Sequence, residues 1–135
     1  MKQEDKELLL KDLCARLPYG VICYDEAQNE NGIFKQFEYE GFGRIHNGRG
    51  MRYIEHIHPI LRPISSMTEE EKHELLRFGT VSIDKDSNAI DVCCVGFCNH
   101  AKVQDYLNSI HIDYRGLIPK GLAIEVIEEN NPYKE

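Results

Sequence analysis

The chain has 135 residues, 41% of them hydrophobic and 29% charged, with a formal net charge of −7. This is the balance of one globular domain rather than of a disordered polyelectrolyte, and no apolar run approaches the ~20 residues of a membrane helix. The acidic excess disfavours non-specific nucleic-acid binding, which needs Lys and Arg on phosphates.

The first residues, MKQEDKELLL, carry acids where a signal peptide is basic. The five cysteines are odd in number, Cys93 and Cys94 are adjacent, and the spacing is not that of a disulfide framework. Both features lead to the expectation of a cytoplasmic protein with reduced, unpaired thiols.

A helix is predicted over Gln3 to Leu17, where Leu9, Leu10, Leu13, Cys14 and Leu17 recur at helical spacing and form the buried stripe. Pro18-Tyr19-Gly20 stops it. A strand over Val21 to Tyr24 follows, then a polar turn over Gln28 to Gly32 and a second strand over Ile33 to Tyr39. The stretch from Gly41 reads as a β-hairpin turning at Asn47-Gly48, the dipeptide that favours a type I′ turn. Met51 to His58 is its returning strand, and Pro59 and Pro63 end regular pairing. Thr68 and Glu71 form a capping box that opens a second helix ending near Phe78 and burying Leu75, Leu76 and Phe78. Short strands over Thr80 to Ile83 and Ala89 to Val95 come next. Apolar residues on both faces of Val92 to Val95 suggest a central place in the sheet. A third helix over Phe97 to Ile110 turns Val103, Tyr106, Leu107 and Ile110 inward. Leu122 to Ile127 is a final edge strand. The expectation is α+β: a mostly antiparallel sheet packed with three helices, one domain over 1–135, with 128–135 a loose tail.

Three strings, LLLKDLCARLPYGV (Leu8 to Val21), PILRPISSMTEEEKHEL (Pro59 to Leu75) and HIDYRGLIPKGLAIE (His111 to Glu125), resemble a group of small proteins of gut Bacteroidales and their phages. The stretch from Cys23 to Tyr53 lies outside the resemblance. The resemblance implies a phage or mobile-element origin, and with it binding to host components, a defence component among them, or to signalling ligands. It carries over no activity.

Charge is unevenly spread. Between Gly41 and Pro63, Arg44, Arg49, Arg52 and Arg62 stand against Glu55 alone, so that stretch is +3 and the rest −10. Arginine forks suit phosphates and carboxylates. With His56 and His58 these are the candidate ligand- or partner-binding residues; their competing reading is a solvated face paired with the acidic remainder. His111, Asp113, Tyr114, Arg115 and Lys120 are secondary candidates, weighed against a helix-end loop that only ties down backbone. His56 and His58 lack further ligands at diagnostic spacing, and Cys94 and Cys98 form CxxxC without a partner pair, so no metal and no cofactor are assigned. No nucleophile, base and oxyanion stabiliser gather in one place, so no catalytic residue is assigned.

Two functions follow as expectations. The first is a non-catalytic interaction module whose basic hairpin docks on an acidic protein surface. The second is capture of a phosphorylated small molecule such as a nucleotide signal, with a phosphodiesterase using His56 or His111 as a distant third. A membrane partner is not expected.

Overall fold

Leu9 and Leu13 lie one helical turn apart, and their burial docks the first helix on the sheet. The computed structural model describes residues 2–26, 29–39, 42–45, 52–53, 56–78, 81–84, 89–92 and 100–133, with side chains over 2–26, 29–34, 56–78 and 101–133. The elements are α1 (Gln3–Arg16), β1 (Ile22–Asp25), β2 (Glu30–Tyr39), β3 (Phe42–Ile45), β4 (Arg52–Tyr53), β5 (Ile57–Leu61), α2 (Glu69–Leu76), β6 (Val81–Asp84), β7 (Ala89–Val92), α3 (His100–Ser109) and β8 (Ile124–Glu125). The fold is α+β. Six strands form one sheet in the order β4-β3-β2-β1-β5-β8, and β6 pairs with β7 apart from it. The described strand pairings are antiparallel except β5 with β8, which is parallel, as is the isolated Arg62–Ile112 bridge. Among the described residues no helix is long and apolar enough to cross a membrane.

Two apolar clusters form. One joins Leu9 and Leu13 to Val21, Cys23, Phe34, Ile57 and Leu61. The other gathers Ile64, Met67, Leu75, Val103, Leu107 and Ile112 between α2, α3 and the segment after it. The capping box of α2 is formed: Glu71 N–H donates to Thr68 Oγ1 at 3.1 Å and Thr68 N–H to Glu71 Oε1 at 2.8 Å.

Several sequence expectations are corrected. On α1, Cys14 is exposed, while Asp12 and Arg16 are fully buried with Leu9 and Leu13. The buried face is rotated because Asp12 and Arg16 neutralise each other. The β1–β2 turn ends earlier than predicted. Glu30 and Asn31 already pair with Asp25 and Tyr24, since ladder bonds are backbone bonds and these side chains stay exposed. Met51 to His58 is not one strand; β4 and β5 are separate, and β5 runs through Pro59 to Leu61. Pro59 is tolerated by register. Glu26 N–H donates to His56 C=O at 3.1 Å, so hydrogen-bonded pairs recur every second residue and Cys23–Pro59 is a non-hydrogen-bonded pair. Leu76 is 60% exposed rather than buried, one residue beyond the inner face that Leu75 occupies. The described part of the strand predicted to be central, β7, lies in the separate pair. Residues 93–95 and the Asn47-Gly48 turn lie outside the described residues.

Within 128–135, read from the sequence as a loose tail, the Tyr133 side chain is anchored to the sheet. Tyr133 Oη accepts from Ile22 N–H at 2.9 Å and donates to Ile60 C=O at 2.8 Å. It takes the place of the next direct β1–β5 bond and stitches the two strands where they diverge.

Candidate functional site

The three strings that carry the resemblance meet in space. From the first, Arg16 Nε donates to Asp12 Oδ2 at 2.7 Å, one helical turn away, with both side chains fully buried. Arg16 Nη2 donates to Ile112 C=O at 2.7 Å, tying α1 to the start of the third string. Arg115 Nη1 donates to the other Asp12 oxygen at 2.9 Å. The Tyr114 ring lies near both guanidiniums, 5.3 Å from that of Arg16 and 4.6 Å from that of Arg115, each within cation–π range. Asp113 accepts from Leu117 N–H and Ile118 N–H at 3.0 and 2.9 Å. These groups hold the junction together. Burial and the Asp12 carboxylate push the Cys23 thiol well above its ordinary range, which suppresses thiolate chemistry there.

From the second string, Arg62 reaches Glu71 with both terminal nitrogens at 2.8 Å. Its remaining N–H groups go to Ser66 Oγ at 3.2 Å, Ser66 C=O at 2.9 Å and Ile110 C=O at 3.3 Å. An arginine has five N–H donors, and all five are engaged. The Arg62 guanidinium, foremost through these hydrogen bonds, holds the Glu71 carboxyl below its usual range.

Beside this fork opens a cleft of about 610 Å³, walled by Arg62, Ile110, His111, Val126, Ile127 and Tyr133. The His111 and Tyr133 rings stack at 3.8 Å with 12° between their planes. Burial, with Arg16 and Arg62 adding to it, pushes the His111 imidazole down to about 4, so the ring is neutral at pH 7. The unfolded chain takes up this proton near pH 6.5 and the folded chain only near pH 4. In that window the unfolded state binds more protons, so stability falls as pH drops. With solvent screening at a partly exposed ring, about 1–2 kcal/mol is lost between pH 7 and pH 4. Urea unfolding at both pH values checks this: the His111→Asn variant, neutral throughout, lacks that share of the loss.

The other sequence candidates fall elsewhere. Glu26 accepts from both His56 and His58, with His56 Nδ1 at 2.9 Å and His58 Nε2 at 2.7 Å, and these bonds hold its carboxyl below the usual range. Among the described residues no group of three His, Cys, Asp or Glu side chains is arranged to hold a metal ion. His56 precedes β5, whereas His111 C=O accepts from Arg62 N–H beyond its far end, so the strand separates the two histidines. Arg44 lies in β3 opposite Gln36, and Arg52 lies in β4, an outer strand of the sheet, opposite Gly43. Arg49, Cys94 and Cys98 lie outside the described residues, and Lys120 is exposed. The sequence reading did not select Asp12, Arg16, Glu26, Glu71 or Tyr133 for these roles. Arg16 did carry a signal, since it continues the Leu9–Leu13 face with an acid four residues before it.

Comparison with family models, with curated proteins and with solved structures returns no match to this chain.

Proposed function

We propose that this chain is a non-catalytic docking module that binds an acidic protein partner through the β3–β4 ribbon, a host defence component being the partner its phage-like strings imply. One observation carries the reading. Residues 41–53 hold Arg44, Arg49 and Arg52 with no acid among them, and their strands β3 and β4 end one side of the sheet. The other primary candidates are engaged within the fold: Arg62 with Glu71, and His56 and His58 with Glu26. Capture of a phosphorylated small molecule is the weaker reading, because Arg62 has no N–H to give a phosphate.

Arg49→Ala and Arg52→Ala, made singly, are expected to weaken partner binding about tenfold or more, the equivalent of one charge-assisted hydrogen bond of roughly 1.5–3 kcal/mol. Binding also weakens with salt, because exposed charges are screened over about 10 Å at 0.1 M. Capture of partners from host lysate on immobilised parent and variants, with folding checked by circular dichroism, tests this. Equal capture by both variants and the parent sinks the ribbon as the docking surface.

A further inference from the structure

His111 occupies a backbone position that normally calls for glycine. Past the end of α3, Ile112 N–H donates to Leu107 C=O at 3.1 Å and His111 N–H to Asn108 C=O at 3.2 Å, a Schellman pair with His111 at its left-handed position, φ 62°. The same pair recurs ten residues on, from Leu122 to Leu117 and from Gly121 to Ile118, with Gly121 at φ 75°. A residue with a Cβ is strained in this region. The cap does not need an imidazole, and the imidazole faces the cleft beside Tyr133.

The ring's chemistry is narrowly defined. Its Nδ1 is buried without a partner. A buried orphan N–H is rarer than an under-used lone pair, so the neutral ring carries its proton on Nε2 and can donate from there. The same cleft is lined by the acidic Glu128, whose carboxylate is a potential acceptor, and by Ile110, Val126 and Ile127 as apolar wall, with Ile127 49% exposed. An anion finds no free N–H on the Arg62 guanidinium that walls the cleft, and meets the acidic Glu128. What complements a neutral donor, an acceptor and an apolar wall is a group with adjacent C=O and N–H beside an apolar substituent. The volume lies within the 300–1,000 Å³ range typical of small-molecule sites.

We infer that the cleft between Arg62, His111 and Val126 to Glu128 is a binding site for an uncharged amide or lactam, whose carbonyl accepts from His111 Nε2 and whose N–H donates to Glu128. It lies at the β8 end of the sheet, opposite the ribbon, so it stands or falls independently of partner docking.

The test is titration of the ¹⁵N-labelled protein with uridine as the lactam probe, N-acetyl-leucine amide as the peptide-amide probe and inorganic phosphate as the anionic control. Saturable shifts at His111 and at Val126 to Glu128 are expected with one or both neutral probes, and the responding probe tells lactam from peptide amide. His111→Gly suits the backbone position and removes the donor, so it should fold yet bind at least tenfold more weakly. Ile127→Asp, at a half-exposed wall residue, gives a second variant with the same expected direction. No saturable shift with either neutral probe, binding unchanged in both variants, or preferential shifts with phosphate overturns the inference.

Discussion

Arg16→Met is expected to lower the unfolding free energy by about 3–5 kcal/mol, the range for stranding one member of a buried ion pair. Methionine keeps much of the side-chain length, so the loss is mainly electrostatic rather than a cavity. It leaves the fully buried Asp12 carboxylate to Arg115, and it removes the donor to Ile112 C=O. The pair itself need not be a net source of stability, because two desolvated charges roughly offset their attraction. The double variant Asp12→Leu with Arg16→Met therefore recovers part of the loss. Urea unfolding followed by circular dichroism measures both. A single-variant loss below about 1 kcal/mol, the worth of an exposed pair, would contradict the buried junction.

Tyr133→Ala is expected to cost about 2–4 kcal/mol, below the range for a fully buried aromatic because the Tyr133 side chain is only partly buried. Tyr133→Phe isolates the hydroxyl. It keeps the ring on His111 but leaves Ile22 N–H and Ile60 C=O without the group that bridges them, for about 1–3 kcal/mol. Amide hydrogen exchange at Ile22 should quicken in the Phe variant more than exchange at Cys23 or Tyr24. Burial pushes the Tyr133 phenol well above its ordinary range, so neither effect depends on pH near neutrality. If both variants unfold like the parent, residues 128–133 are a loose tail after all.

Much of the architecture was legible because local physics carries it. The α2 capping box is decided by Thr68 and Glu71 within four residues. The spacing of Val103 and Leu107 places α3 against the second cluster, and both are buried. The hairpin strands β3 and β4 pair with Phe42 opposite Tyr53, as the order of strand, Asn-Gly and strand predicts.

The site was legible only in its parts. His111, Arg62, Asp113, Tyr114 and Arg115 were selected from the sequence because their chemistry is visible in any one of them. Which of them is engaged was not. Whether Arg62 is an anion fork depends on Glu71, nine residues away, and on Ile110, 48 residues away. Histidines 56 and 58 met Glu26 only because β5 pairs antiparallel with β1. Tyr133 reached Ile22 across 111 residues of chain, which neither composition nor terminal position can anticipate.

By itself the sequence determined the α+β class, the capped and amphipathic helices and the uneven charge, since each is a property of residues within a few positions of one another. The tertiary structure alone decided which charges are spent and which remain. An ion pair is made by distance through space, and only the folded sheet brings Asp12 to Arg115, Arg62 to Glu71 and His111 to Tyr133.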